Sequence, residues 1–359
     1  MITSFIFNDG GSFMSLVSII IPVYNREKYI EKTLLSVLKQ PNFDYEIIII
    51  NDGSTDKSLQ ICEMYSKQYD CIKIYSQENK GVSAARNLGI KKSSGKYIMF
   101  LDSDNYYVDN FFDNQLESEL KNDYDLLAYS SYVSNIKRNR YAVEQRFKDM
   151  VISCCQWTPT GHFGSCIYLK EMLIKNDIWF DEGIRINEDL AFKFKAFHCA
   201  NKIRFLSKFC HIYNSTAKST SKHLGCQYDY VDVWYRTYDW LKDRPYQQNT
   251  QASVHYVRLK MTSRMLLYAK TYIQVGHNQE ELIIELKLRN GYDMLMSIND
   301  QQILPYLKKD LYLFQNDMKA FISKARKEGS IIKIGRVLLH IPLVRYLKDK
   351  KQYNLNQIY

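Results

Sequence analysis

Short apolar segments alternate with helical patterns through the first hundred residues of the chain. Four segments have the length and character of strands that are buried on both faces of a sheet, namely 16–24, 46–50, 71–75 and 96–101. Between them, apolar residues recur at helical spacing over 27–39, 57–67 and 80–91. The order β-α-β-α-β-α-β with short connections predicts an α/β fold, in which a mostly parallel sheet is flanked by helices.

The last of these four segments ends in two carboxylates. Five apolar residues, 97–101, lead directly into Asp102-Ser103-Asp104. Ligands of open α/β sheets bind at the carboxyl ends of the strands, and two neighbouring acids repel each other unless a cation or hydrogen-bond donors compensate. The pair therefore suggests a metal or a polyhydroxyl ligand. The same residues also favour a turn, so the tripeptide alone leaves both interpretations open.

Several common cofactor and metal motifs are missing from the sequence. No G-x-G-x-x-G follows the first strand and no G-x-x-x-x-G-K-[ST] occurs, so neither a dinucleotide cofactor nor a P-loop is expected. None of the eight cysteines forms a C-x-x-C pair, which argues against a zinc or redox motif. Their apolar surroundings are typical of reduced, buried thiols in a cytosolic protein.

The pattern divides the chain into a leader, an α/β domain and a helical region. Residues 1–14 have no basic start and contain Asn-Asp-Gly-Gly, so we expect a disordered leader rather than a signal peptide. The α/β domain is predicted over 15–225, with later helices at 107–121 and 168–176 and one or two short strands in 202–213. From 226 to 359 the pattern is helical, and no apolar run approaches the roughly 18 residues of a membrane span.

Positive charge is concentrated near the C-terminus. The chain carries a net charge of +10, and between Lys308 and Lys351 it has 12 of its 49 Lys and Arg but only 4 of its 39 acids. The segment 331–340 within this stretch is amphipathic, with basic residues on one face. Such a tail suggests an anionic membrane surface or another polyanion, and a solvated helical face explains it equally well.

Five short motifs follow one another in a fixed order. They are Ile-Pro-Val-Tyr-Asn (21–25), Asn-Asp-Gly-Ser-Thr-Asp (51–56), Gly-Val-Ser-Ala-Ala-Arg-Asn (81–87), Leu-Asp-Ser-Asp (101–104) and Asn-Glu-Asp (187–189). Each is weak alone, but in this order and spacing they closely resemble the inverting glycosyltransferases of family 2 with the GT-A fold. The resemblance covers roughly residues 15–220 and implies a GT-A sheet domain that uses a nucleotide sugar and does not bind nucleic acid.

The resemblance implies a nucleotide-binding role for the first three motifs. Pro22, Val23 and Tyr24 match the loop that cradles the nucleobase, with the aromatic ring stacking on it. Asp52 matches the acid that hydrogen-bonds the base, which is usually uracil. Arg86 matches a position that contacts the base or holds Asp52. Two alternatives remain open: Arg86 could be a surface arginine of its helix, and Tyr24 could pack in the core.

The resemblance also assigns the chemistry to the last two motifs. Asp102 and Ser103 match the ribose and backbone side of the Asp-x-Asp motif, Asp104 matches its metal ligand, and Asp189 matches the catalytic base. A nucleoside diphosphate is a poor leaving group unless its charge is neutralised, and Mg²⁺ or Mn²⁺ with hard oxygen ligands can do this. Direct displacement then needs one base for the acceptor hydroxyl. Without the family context, Asp189 would be an ordinary first-turn acid of a helix capped by Asn187.

The resemblance leads to a specific functional prediction. We expect a metal-dependent, inverting enzyme that moves a sugar, with UDP as the favoured carrier, to a hydroxyl of a growing, lipid-linked glycan of a capsule, exopolysaccharide or O-antigen. We expect it in the cytoplasm, peripherally bound to the inner membrane face. The alternatives are a non-catalytic scaffold that binds glycan or nucleotide, and a nucleotidyltransferase, which would need a glycine-rich loop where this chain has Pro22-Val23-Tyr24.

Overall fold

The computed structural model describes residues 15–41, 43–133, 163–214, 228–242, 244 and 250–338. The predicted leader, the predicted boundary at 225 and the tail beyond residue 338 lie outside the described residues. The chain divides into two compact units, Met1–Val254 and His255–Tyr359. The proposed functional residues all belong to the first unit.

The first unit is built on one eight-stranded mixed sheet. Its strands lie in the order β3-β2-β1-β4-β7-β6-β8-β5. The first four strands run parallel to one another, as predicted, while β7 is antiparallel to both β4 and β6. The strand bounds are β1 Val17–Val23, β2 Tyr45–Asp52, β3 Ile72–Gln77, β4 Tyr97–Phe100, β5 Tyr106–Tyr107, β6 Leu126–Val133, β7 Cys166–Leu169 and β8 Ile203–Tyr213.

Helices flank this sheet and complete two separate apolar cores. In β1, Ile19 and Ile21 belong to one core and Ile20 to the other, because successive side chains of a strand point to opposite faces. Both faces are therefore buried, and the predicted α/β class is confirmed. The helices of this unit are α1 Ile30–Leu38, α2 Ser58–Ser66, α3 Val82–Lys92, α4 Asn114–Leu120, α5 Lys170–Lys175, α6 Glu188–Cys199 and α7 Asp229–Lys242.

Two of the sequence-based helix predictions were wrong in part. The predicted helix at 168–176 begins only at Lys170, because the preceding residues form β7 and pair antiparallel with β4. The predicted helix at 107–121 begins only at Asn114, because the Asp113 carboxylate caps it by accepting from the Leu116 amide at 3.0 Å. The one or two short strands predicted in 202–213 are one long strand, β8, over Ile203–Tyr213.

The second unit is helical, as the pattern predicted. In this unit the buried carboxylate of Asp310 is paired with Lys270 and Lys324. None of the described helices combines the length and the apolar character that a membrane span requires. The helices are α8 Thr250–Gln274, which begins just before this unit, α9 Gln279–Leu288, α10 Gly291–Ser297, α11 Lys308–Asn316 and α12 Met318–Leu338.

Candidate active site

Three neighbouring parallel strands end at the same edge of the sheet, and each carries a predicted site residue there. β1 lies between β2 and β4, with Val23 in register with Asn51 and Ile20 in register with Phe100. The chain passes from β1 to β2 and β3 on one side and then crosses to β4 on the other. Such a switch point leaves a crevice at the carboxyl ends of the strands, where ligands of open α/β sheets bind.

Asp52 closes β2 and organises the loop after β3. It is 3% exposed, and its carboxylate accepts from the Gln77 side chain at 2.7 Å and from the Lys80 and Gly81 amides, each at 2.9 Å. A carboxylate has about four acceptor positions, so one remains for a ligand. Asp52 therefore fixes the 77–81 loop and can still accept a hydrogen bond at the edge of the crevice.

The end of β1 and the residues after it carry the first motif. Pro22 and Val23 lie inside the buried strand, so they set the path of the backbone. Tyr24 is 44% exposed, as a ring that stacks on a ligand must be. Its neighbour Asn25 adopts a left-handed conformation with a φ of 51°, and its Oδ1 accepts from the Thr55 amide at 2.8 Å. The first and second motifs thus hold each other in place.

The Asp-Ser-Asp motif forms a tight turn after β4. The Asn105 amide donates to the Asp102 carbonyl at 2.9 Å, and the Thr33 hydroxyl lies 3.0 Å from the carbonyl of Ser103. Ser103 is buried, and α1 holds it through this contact with its backbone carbonyl. The turn interpretation and the site interpretation of this motif are therefore compatible.

Asp104 projects from this turn towards a cation of the chain itself. Its carboxylate lies 3.5 Å from Nε of Arg26, and the two side chains keep 18% and 30% of their exposure. Within the described part of the chain, no group of three or more His, Cys, Asp or Glu side chains can hold a metal ion. The donor chemistry fits Mg²⁺ or Mn²⁺ only if Asp104 shares the ion with oxygens of a bound diphosphate.

Arg86 joins the Asp-Ser-Asp turn to the start of α6. It is 4% exposed, and its two terminal nitrogens donate to Asp102 at 2.9 Å and to Glu188 at 3.0 Å. Burial alone lowers the pKa of Arg86, but the carboxylates of Asp102 and Glu188 outweigh it and raise the pKa above its ordinary value. Burial and the neighbouring Asp189 raise the pKa of Glu188 to about 7, and Arg86 opposes this rise.

Asp189 lies in the first turn of α6, next to this ion pair. It is partly exposed, and its Oδ1 accepts from the Leu190 amide at 2.7 Å. Asn187 occupies the cap position, as predicted, but caps nothing with its side chain, because its backbone is left-handed with a φ of 63°. The turn at Asn187 sets the direction in which Asp189 enters the helix.

The structure brings the predicted residues together and adds two that the sequence did not single out. Arg26 faces Asp104, and Glu188 faces Arg86. Arg26 directly follows the first motif, and Glu188 is the middle residue of the fifth. Neither position predicts its partner, because the partners lie far away along the chain.

Comparisons with known proteins show the family of this chain. The family model of Glycosyl transferase family 2 matches residues 18–209. An uncharacterized glycosyltransferase of Bacillus subtilis, EpsJ, is 32% identical over 62% of this chain and 70% of its own length. The poly(ribitol-phosphate) beta-N-acetylglucosaminyltransferase TarS of Staphylococcus aureus is 30% identical over 60% of this chain and 38% of its own length.

A solved structure supports the same assignment at the level of the fold. The structure of residues 1–349 of S. aureus TarS with UDP-GlcNAc superposes with a TM-score of 0.66 at 23% identity, over 89% of this chain and 92% of that chain. At this identity the likeness shows the fold, a GT-A sheet domain with a helical C-terminal region. Because the family model covers more than half of the chain, this protein belongs to Glycosyl transferase family 2.

Proposed function

We propose that this chain is a metal-dependent, inverting glycosyltransferase that moves a sugar from a UDP-sugar to a hydroxyl of a growing cell-surface glycan. The observation that carries the proposal is the meeting of Asp52, Asp102 and Asp104 at one sheet edge, with Arg86 joining that edge to Asp189 at the start of α6. The sheet edge offers groups that can bind the nucleotide, and α6 offers a general base, Asp189. Direct displacement needs both.

The nucleotide end of the site suits a pyrimidine base. The exposed ring of Tyr24 can stack on the base, and the remaining acceptor position of Asp52 can take a hydrogen bond from a ring N–H such as that of uracil. A cytosine has no proton on the corresponding ring nitrogen, so the same carboxylate favours uracil. The structure of TarS in complex with UDP-GlcNAc supports this choice of donor.

The carboxylates after β4 suit the diphosphate. Asp104 would hold Mg²⁺ or Mn²⁺ together with phosphate oxygens, and the bound ion supplies charge neutralisation for the leaving group. Asp102 is fixed by Arg86 and keeps 23% of its side-chain exposure, so its carboxylate is accessible to a ribose hydroxyl. Arg26 adds a positive charge beside Asp104, where the negative charge of a leaving diphosphate would develop.

Asp189 suits the role of general base. It is partly exposed, and Arg86 lies near enough that the Asp189 carboxylate contributes to its raised pKa. A carboxylate at this place can accept the proton of an acceptor hydroxyl. A single base suits direct displacement, which converts an α-linked donor into a β-glycoside.

The names of the relatives suggest the acceptor, and the basic C-terminal stretch suggests the location. Relatives include TarS and the minor teichoic acid biosynthesis protein GgaB of B. subtilis, which is 34% identical over 50% of this chain. Their names support an acceptor in surface-polysaccharide assembly. The basic stretch from Lys308 to Lys351 supports a cytoplasmic enzyme bound peripherally to an anionic membrane, with a lipid-linked acceptor.

A panel of nucleotide sugars tests the proposal. The purified chain is mixed with Mn²⁺ and one of UDP-, GDP-, dTDP- or CMP-sugars, and both donor hydrolysis and thermal stabilisation are measured. We expect stabilisation and slow hydrolysis with a UDP-sugar, both abolished by EDTA. Response to another nucleotide alone would refute the UDP assignment, and binding of a UDP-sugar without any hydrolysis or transfer would favour the scaffold alternative.

A further inference from the structure

Glu188 is buried and paired with a distant arginine, whereas an ordinary acid in the first turn of a helix is exposed to solvent. Glu188 is 8% exposed, and its carboxylate accepts from Arg86, which lies 102 positions earlier in the chain on α3. Burying a charged pair costs desolvation energy, so such a pair rarely persists for stability alone. The pair therefore calls for an explanation in the geometry of the site.

Arg86 contacts both halves of the proposed site at once. One terminal nitrogen donates to Asp102 in the turn after β4, and the other donates to Glu188 at the start of α6. The guanidinium group is planar, so its two bonds fix the direction between the two carboxylates. One rigid group thereby holds both the Asp102 turn, on the nucleotide side of the site, and the start of α6, which carries the proposed general base Asp189.

The surroundings of Arg86 make this connection stiff. The guanidinium carbon lies 5.1 Å from the ring centre of Phe180, and Phe180 stacks on Phe192 of α6 at 4.0 Å. The next residue, Asn87, accepts from the Phe180 amide at 2.9 Å and donates to its carbonyl at 3.0 Å. Helix α3 thus holds the loop before α6 as well as its first residue.

We propose that Glu188 is a positioning residue, which through Arg86 sets the place of the neighbouring base Asp189 relative to the Asp102 turn. The proposal rests on the proposed function, because it assigns the base role to Asp189. Glu188 itself touches neither donor nor acceptor in this account. Its removal frees the first turn of α6 while Arg86 still holds Asp102.

Kinetics of Glu188→Ala and Glu188→Gln test the proposal. A misplacement of about 1 Å can cost roughly a hundredfold in rate, so Glu188→Ala should lower kcat about a hundredfold. The donor KM should stay within about twofold, because the contact between Arg86 and Asp102 remains. Glu188→Gln keeps an oxygen that can accept from Arg86, so it should recover most of the lost kcat.

A matched ion pair on the same helix supplies the control. Lys195 of α6 pairs with Asp181 at 3.0 Å, and these side chains are 4% and 15% exposed, against 5% and 11% for Arg86 and Glu188. Asp181→Ala should destabilise the fold as much as Glu188→Ala does and leave kcat nearly unchanged. An equal loss of kcat in both variants, or a rise in donor KM with Glu188→Ala, would overturn the positioning role.

Hydrogen exchange separates this proposal from the proposed function. The Ala191 amide, which donates to the Asn187 carbonyl at 3.0 Å, reports on the first turn of α6 without any need for turnover. Glu188→Ala should speed its exchange at least tenfold, and Asp181→Ala should not. If the wild-type chain transfers no sugar, the proposed function fails, while unchanged exchange in Glu188→Ala refutes the positioning role independently.

Discussion

Replacing Asp52 by Asn tests the nucleotide end of the site. The carboxylate accepts from Gln77 and Lys80 on Oδ1 and from Gly81 on Oδ2. An Asn side chain keeps one acceptor oxygen, so its NH₂ group must face at least one of these donors. The loss of one charge-assisted hydrogen bond costs about 1.5–3 kcal/mol, and we expect the free energy of unfolding to fall by about 2–3 kcal/mol.

The same strand offers a matched control at its other end. Glu46 is 2% exposed and accepts from the Ser18 hydroxyl, the Lys73 ammonium and the Gly95 amide, far from the carboxyl edge. Glu46→Gln should lower the free energy of unfolding by a similar amount. Only Asp52→Asn should also lower the affinity for UDP, by about tenfold, which corresponds to about 1.4 kcal/mol of binding free energy.

Two measurements decide this prediction. Urea denaturation gives the free energy of unfolding of both variants, and calorimetric titration with UDP and Mn²⁺ gives their affinity. If Asp52→Asn binds UDP as tightly as Glu46→Gln, Asp52 does not contact the base. If Asp52→Asn unfolds at the same urea concentration as the wild type, the bonds to the 77–81 loop do not stabilise the fold as argued.

Three further predictions follow. Asp104→Asn should leave thermal stability nearly unchanged, but it should remove the gain in UDP affinity that Mn²⁺ gives over EDTA in a calorimetric titration; an undiminished gain would exclude Asp104 as the ligand. Gly81 has a φ of 87° and a ψ of 163°, a region almost restricted to glycine, so Gly81→Ala should cost about 1–3 kcal/mol in urea denaturation and shift the amide that Asp52 binds. Burial lowers the pKa of His198 to about 4, so its neutral ring stabilises the fold above a pH of about 6.5, and this contribution is lost as pH falls towards 4. His198→Gln should therefore remove about 2 kcal/mol of the stability change between pH 7 and pH 5, and an unchanged pH dependence would contradict this assignment.

The sheet core could be predicted because its strands need both faces apolar. The run 47–50 consists of four isoleucines, which divide alternately between the two cores. No amphipathic helix has such a pattern, so the sequence left little choice. The carboxyl ends of these strands could then be predicted to share one edge, which placed Asp52 and Asp104 in a common site.

One later strand, β7, could not be predicted from the local sequence. The run 166–169 is short and apolar, a pattern that suits a strand or a buried helix equally. Its antiparallel pairing with β4, through Ile98 and Tyr168, decides the matter, and that pairing joins segments about 70 residues apart. Local pattern carries no information about such a partner.

The ion pairs of the site escaped prediction for the same reason. Glu188 reads as an ordinary first-turn acid, and only the approach of Arg86 from α3 gives it a specific role. Arg26 follows the first motif without any feature that predicts contact with Asp104. The acidic residues and Arg86 could be found from motifs, whereas the contacts of Arg86 and the role of Arg26 required the fold.

The central claim is that Asp189 is the base of a sugar transfer. The most direct measurement is transfer from a UDP-sugar by Asp189→Asn, together with its affinity for UDP and Mn²⁺. The account predicts that transfer falls by at least a hundredfold while UDP affinity stays within about threefold of the wild type. Transfer at the wild-type rate would remove Asp189 from the base role and with it the proposed mechanism.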